Sequence, residues 1–288
     1  MNDELKVYKK MPIWNGDTLP KGFRRMHNTK AGTWARLTVL EGELKYEALD
    51  ADGNVTATHV FSKTNPAPLV EPQAWHRVSP LSEDLSCYLE FLCKEERYFE
   101  KKYGLTAPHS QVLEVLNHIQ SGEALDLGSG RGRNTFFLQS HGFKVDAIEK
   151  NEEAISKLNK IVNKEGLMSD VTANLANIED LSFTGAYNLI VSTVVFQFFQ
   201  PESVPKIIDK MQSITHSDGI NLIVAPVSTS DMPCPINFPF SFQPDELKQY
   251  YDGWEILKYE ESIGEFHKKN DAGDFIKSMF ATLIARKP

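Results

Sequence analysis

No apolar run in this 288-residue chain approaches the roughly 18 residues that a membrane-spanning helix needs. The start, Met1-Asn2-Asp3-Glu4-Leu5-Lys6, is polar, carries both charge signs and has no apolar stretch behind it. A secretory leader is therefore not expected, and a cytoplasmic location is. Cysteine is scarce. Cys87, Cys93 and Cys234 are an odd set without metal-type spacing, which argues against a disulfide framework and predicts reduced thiols and no metal site. A basic surplus is also missing. Residues 1–94 hold 12 Lys+Arg and 12 Asp+Glu, so residues 95–288 carry the whole net charge of −8. A protein that grips nucleic acid needs a basic face toward phosphate, and none is visible here. The partner predicted is a small molecule, with neither nucleic acid nor membrane. Internal repeats and low-complexity tracts are absent too.

What is present falls into two periodicities. From Thr33 to Phe91 the pattern is strand-like, with candidate strands at 33–41, 43–49, 55–61, 76–79 and 86–93. Turn signals at Glu41-Gly42, Asp52-Gly53, Asn65-Pro66 and Glu71-Pro72 separate them. Short strands so spaced predict an all-β sandwich or barrel over residues 1–94. Residues 95–107 begin with a charged stretch (KEERYFEKKY from Lys94) that predicts a helical connector, and Pro108 can open the next helix at its first turn. From 108 to 288 strands alternate with helices. Strands are expected at 123–127, 144–149, 187–193 and 219–225, with helices at 134–141, 152–164 and 203–213. That alternation builds a doubly wound, mostly parallel α/β sheet. Two late runs, 254–260 and 278–286, have no long helix between them and are expected as antiparallel neighbours at one edge.

The segment Leu125-Asp126-Leu127-Gly128-Ser129-Gly130-Arg131-Gly132-Arg133-Asn134 sits at a strand-to-helix turn. A ligand approaching the backbone there needs side chains to be absent, which Gly128 and Gly130 provide. A tight turn alone would use glycine as well. A dinucleotide fingerprint would read G-x-G-x-x-G, whereas here the third glycine comes one residue early and Arg133 takes its place. Asp126 just ahead of the loop would repel a pyrophosphate but suits the cationic amino-acid end of S-adenosylmethionine. The loop thus resembles motif I of class I methyltransferases. That resemblance implies a cofactor site for S-adenosylmethionine made of His109, Asp126, Gly128, Gly130, Arg133, Asn134, Glu149, Asn177, Ile178 and Thr193. In it Glu149 holds the ribose hydroxyls, Asn177 and Ile178 flank the adenine, and His109 either contacts the amino-acid end or caps its helix.

The end of the fourth strand bears on the nucleophile. Methyltransferases of bases or glutamine carry [DN]-P-P-[YF] there, but this chain reads Val191-Ser192-Thr193-Val194-Val195-Phe196-Gln197-Phe198-Phe199. The position has no carboxylate and no proline pair. An alcohol or ammonium nucleophile must lose a proton and needs a base. A soft atom with a free lone pair, such as S, Se or Te, does not. Core packing is the other reading of this run.

STVVFQFF, GINLIVAPVSTSDMPCP, FPFSFQPDELKQYYDGWEILKYEESIGEFHK and MFATLIARKP together are similar to the tellurite-resistance methyltransferases of the TehB type. HNTKAGTWARLTVLEGELKYEAL and VEPQAWHRVSPLSEDLSCYLEFLCKEERYF resemble the cupin-like β-sandwich domain that precedes the enzyme in the longer form of that family. The resemblance covers nearly the whole chain. It implies a cupin-like domain at 1–94, a connector at 95–107 and a Rossmann-like methyltransferase with a seven-stranded sheet at 108–288. It also implies S-adenosylmethionine-dependent methylation of tellurite- or selenite-type oxyanions.

One departure stands out. The family pattern G-E-L-H-[RK]-T-D-x-N-G-x-R-I-K is met here by Gly264-Glu265-Phe266-His267-Lys268-Lys269-Asn270-Asp271-Ala272-Gly273-Asp274-Phe275-Ile276-Lys277. His267 is the expected catalytic proton donor and Lys268 the expected cation for the substrate. Phe275 replaces an arginine, and a phenyl ring cannot clamp an oxyanion. Lys269, Lys277 or Arg133 would have to compensate. Two other functions stay open: methylation of a small organic thiol or carboxylate, and sensing of S-adenosylmethionine without turnover. In the first domain Pro72-Gln73-Ala74-Trp75-His76 matches only half of a metal-binding cupin pattern, and His27 and His59 stand alone. A metal-free domain for assembly, sensing or ligand docking is expected.

Overall fold

The computed structural model describes residues 5–180 and 185–288, with the His267 side chain and most of the polar start (Met1 to Glu4) outside the description. The chain divides into two compact units, Met1–Gly104 and Leu105–Pro288.

The first unit contains β1 (Leu5–Lys10), β2 (Trp14–Asn15), β3 (Trp34–Glu41), β4 (Glu43–Leu49), β5 (Val55–Ser62), β6 (His76–Pro80), β7 (Ser86–Lys94) and α1 (Tyr98–Tyr103). One sheet gathers β1, β2 and β3 on β7, and the other runs β5-β4-β6. Inward residues from both sheets meet in one core: Trp14, Val39 and Cys87 from the first, Leu44, Phe61 and Val78 from the second. β1 and β2 are additions to the expected strands. β1 has no clean alternation of buried and exposed residues and three lysines, a composition that suits a sheet edge and hides it from a periodicity reading. α1 buries Tyr98 and Phe99 within this unit, so its aromatic pair is a docking face.

The second unit contains α2 (Ser110–Val115), β8 (Gly122–Leu127), α3 (Arg133–Ser140), β9 (Phe143–Glu149), α4 (Glu152–Glu165), β10 (Val171–Leu175), β11 (Tyr187–Thr193), α5 (Val204–Ser213), β12 (Thr215–Val227), α6 (Glu246–Gln249), β13 (Glu255–Lys269) and β14 (Phe275–Arg286). The seven strands run in the order β10-β9-β8-β11-β12-β14-β13. β8 to β12 pair in parallel, while β14 is antiparallel to both of its neighbours. The central strands are buried on both faces, as a sheet covered by helices requires. α4 shows how the sequence places such a helix. Asn151 caps its start by accepting the Ala154 N–H at 2.9 Å, and Ile155, Leu158, Ile161 and Val162 form its buried stripe.

The expected helix start at Pro108 is corrected. α2 begins at Ser110, because His109 is the cap residue: its backbone is extended and its ring nitrogen accepts the Gln111 N–H. The chain order reverses between β8 and β11. Their carboxyl ends open a crevice at the place where open α/β sheets hold ligands.

Candidate functional site

The crevice has two lobes that meet at Gly128. The smaller, of about 220 Å³, is lined by Leu105, Thr106, the loop 128–131, Arg133, Asn134 and Thr193. The larger, of about 530 Å³, is lined by Glu149, Lys150, Asn151, Ala176, Asn177, Ile178 and the apolar wall Val194, Val195, Phe198 and Phe199.

The three loop glycines, all with positive φ, do two different jobs. A Cβ on Gly128 would lie 2.4 Å from a Val195 methyl, and one on Gly132 would lie 2.7 Å from the Phe136 ring. Those two glycines let the loop lie against its own protein. A Cβ on Gly130 meets nothing within 4 Å, so this position leaves space in the lobe. Gly132 was not among the expected site residues. It lets the start of α3 lie against Phe136 and Leu158 of α3 and α4.

Glu149 ends β9 and accepts backbone N–H groups from Gly130 at 2.9 Å and Asn151 at 2.7 Å. It therefore fixes the loop as well as lining the larger lobe. Asn134 is buried and ties three segments together: its Oδ1 accepts the His109 N–H at 3.0 Å and its Nδ2 donates to Thr193 Oγ1 at 3.0 Å. Ser129 Oγ is buried in the smaller lobe's wall with no hydrogen-bond partner among the described residues. A buried hydroxyl left so costs free energy unless a ligand completes it.

One expected contact is corrected. Asp126 does not line the crevice; it is 1% exposed, behind the wall, and accepts the Thr135 hydroxyl at 2.6 Å. Burial pushes its carboxyl up to about 6, against the Thr135 hydrogen bond and the Arg133 charge that pull it down. Arg133, itself lowered by burial and held up by Asp126, is the charged group that reaches the lobe from that pair. His109 takes the second of its two expected roles: its N–H donates to Asn134 and its Nδ1 accepts the Gln111 N–H as the cap of α2. Asn177 and Ile178 do reach the larger lobe, with the Asn177 amide donating to Asp180 at 2.9 Å.

The apolar wall rests on a strained residue. Val194 has φ +59°, where a β-branched side chain is disfavoured by about 1–3 kcal/mol. Buried Gln197 holds it there, donating from Nε2 to the Val194 carbonyl at 2.9 Å. From this wall a row of rings runs outward, Phe198 to Phe238 at 5.5 Å and Phe238 to Phe266 at 5.4 Å. Phe266 is buried in β13, and the next two residues are His267 and Lys268. The His267 side chain lies outside the described residues. Lys268 is exposed, in a stretch where the β13–β14 register shifts, and it does not line the crevice. Lys269 Nζ sits over the Phe275 ring at 5.0 Å. Ser129, Gln197, Phe238 and Phe266 were all missed from sequence, since a buried serine or a phenylalanine between strands carries no motif.

Residues 91–284 match the family described as Tellurite resistance protein TehB. The chain belongs to this family. Residues 9–89 match the TehB-like domain. Over its full length the chain is 48% identical to a Haemophilus influenzae (strain 10810) protein named Probable S-adenosyl-L-methionine-dependent methyltransferase TehB, with 100% of both chains covered. The crystal structure of TehB from Haemophilus influenzae superposes with a TM-score of 0.94, at 48% identity and 100% coverage of both chains. A protein named Hemagglutinin 1 from Eikenella corrodens is 39% identical over 240 residues, covering 83% of this chain and 79% of that one. No helix among the described residues is long and apolar enough to cross a membrane.

Proposed function

We propose that the second unit of this TehB family member transfers a methyl group from S-adenosylmethionine to the chalcogen atom of a tellurite- or selenite-type substrate. The observation that carries this reading is the two-lobed crevice at the strand-order reversal, with an acidic strand end on one side and an apolar wall on the other. The residues suit the cofactor. Arg133 and the orphan Ser129 hydroxyl offer partners for an α-carboxylate, and Gly130 leaves room beside them. Glu149 offers its remaining lone pairs to ribose hydroxyls, and Ile178 a flat apolar contact to adenine. Relatives that carry the name of an S-adenosylmethionine-dependent methyltransferase support the same reading.

When bound, the cofactor supplies an electrophilic methyl on a sulfonium. The protein's part is alignment and exclusion of water. Phe198 and Phe199 present no base, so a nucleophile would have to bring its own lone pair to that methyl. His267 would deliver a proton to an oxyanion oxygen and Lys268 would draw the anion in. Their backbone follows directly from Phe266, the end of the ring row that starts at the crevice wall. An organic thiolate is the second reading, favoured by the same half-exposed Phe198 and by Phe275 standing where the family has arginine.

The test is a product assay with S-adenosylmethionine against tellurite, selenite and a thiol panel, following S-adenosylhomocysteine and methylated products by mass spectrometry. Methylated tellurium or selenium is expected. Products from thiols alone would remove the chalcogen assignment and keep the transferase. No turnover, with the cofactor bound, would favour sensing.

A further inference from the structure

The first unit holds a cavity of about 440 Å³, within the range of small-molecule sites. Its walls are mostly apolar and include Trp14, Leu37, Val78 and Leu89. Lys9, Lys30 and Lys101 border the cavity, and two histidines interrupt its apolar wall. His27 and His76 face each other across an antiparallel bridge, with His27 N–H to His76 O at 3.0 Å and the return bond at 2.9 Å. That pairing sets their rings on one side, 4.2 Å apart between centroids. Phe23 lies 5.1 Å from the His27 ring and Tyr46 stacks on His76 at 5.1 Å, so the row is aromatic throughout.

The backbone fixes the tautomers. His27 Nδ1 lies 2.9 Å from the Arg25 carbonyl oxygen and His76 Nδ1 lies 2.8 Å from that of Ala74. A carbonyl oxygen only accepts, so each Nδ1 carries its hydrogen, and the neutral His76 ring offers Nε2 as a bare lone pair. Neither Nε2 has a hydrogen-bond partner among the described residues. Burial also keeps His76 neutral, lowering it to about 4. The His76 Nε2 therefore asks for a donor, and the Tyr46 ring stacked on His76 suits a flat apolar body beside it. No group of three or more His, Cys, Asp or Glu among the described residues could complete a metal site around the two histidines.

We propose that the cavity of the first unit binds a small aromatic molecule carrying a hydroxyl donor, held between the aromatic walls with its O–H directed at the His76 Nε2 atom. An aromatic body without the donor leaves that lone pair covered and unpaired, which is what makes such a site selective. This site is independent of the crevice in the second unit.

Phenol and toluene serve as probes on the full chain, with affinity read by calorimetry or ligand-observed NMR. Phenol should bind at least roughly tenfold more tightly than toluene, by the size of one buried hydrogen bond. His76→Phe keeps the ring stack and should erase that preference. Leu37→Trp fills the cavity and should abolish phenol binding, which keeps the test decisive if His76→Phe does not fold. Saturating S-adenosylhomocysteine should leave phenol binding unchanged. Equal affinity for both probes, no phenol binding at millimolar concentration, or displacement by S-adenosylhomocysteine would overturn the proposal. So would displacement of phenol by micromolar Zn²⁺, which would make the pair a metal site.

Discussion

The Glu149 carboxylate at the end of β9 receives the backbone N–H of Gly130, 2.9 Å away in the loop that follows β8. One side chain thus sets the shape of the glycine loop and faces the lobe expected to hold a ribose. Reading the sequence alone, Glu149→Gln should weaken the cofactor without moving the melting temperature. The structure changes that expectation. A glutamine has one acceptor oxygen, so its amide N–H₂ would meet the N–H of Gly130 or Asn151. The free protein should lose about 1–2 kcal/mol, and cofactor affinity should fall as well. Thermal denaturation and calorimetry on the same variant check both losses; an unchanged melting temperature would contradict the bridging role.

Gly130 and Gly132 should separate binding from folding. Gly130→Ala puts a methyl into open space in the lobe and pays only the cost of a left-handed backbone, about 1 kcal/mol. Its main effect should be weaker S-adenosylhomocysteine binding. Gly132→Ala drives a methyl toward the Phe136 ring, adding steric strain of about 1–3 kcal/mol. Its main effect should be a lower melting temperature. The reverse ranking would mean the loop is held differently.

Asp126 gives the second unit a pH signature. Its folded value of about 6 lies above the ordinary 3.8, so between those values the folded state binds the extra proton and stability falls as pH rises. Asp126→Asn keeps an oxygen for the Thr135 hydroxyl and removes the buried charge. The variant should be more stable than the parent at pH 8, by up to about 3 kcal/mol, with little difference at pH 4. Urea midpoints at the two pH values measure it.

His76 works with the opposite sign in the first unit. Its folded value of about 4 lies below the ordinary 6.5, so the unfolded state binds the extra proton and stability rises with pH between the two. His76→Phe should flatten that rise, worth about 3 kcal/mol at most. Acid unfolding followed by Trp14 fluorescence reads it, with Asp126→Asn as the background so that the second unit's opposing slope is removed.

For the chemistry, His267→Ala should lower turnover of selenite or tellurite about 10²–10⁴-fold with little change in cofactor affinity. Lys268→Ala should mainly raise the apparent substrate constant, and added salt should shrink that effect. Phe275→Arg would set a guanidinium beside Lys269, whose ammonium now covers the phenyl ring, and should tighten oxyanion binding. If all three variants behave like the parent toward oxyanions, β13 and β14 do not serve the substrate.

Much of the second unit was legible because strong signals coincide there. β8, β9 and β11 are short apolar runs with turn chemistry behind them, and α4 carries both a cap and a stripe. Glu149, Gly130, Asn177 and Ile178 came out on the crevice because strand ends and the loop after β8 are positions a sequence can locate. Asp126 came out behind it, since sequence does not say which way a strand residue faces, and His109 came out as the cap of α2. The ring row from Phe198 to Phe266 joins residues far apart in sequence, and the His27–His76 pair joins two histidines that a linear scan leaves isolated.

The sheet order has a consequence for how the protein is made. β14 is synthesised after β13, yet it lies between β13 and β12 and is the strand that pairs with both. While the nascent chain leaves the ribosome, β8 to β12 can assemble in order, but β13 has no neighbour to join. A chain stalled before β14 would therefore expose two bare strand edges at once, one on β12 and one on β13. Such a product invites aggregation or proteolysis, so this half of the sheet closes in a single late step.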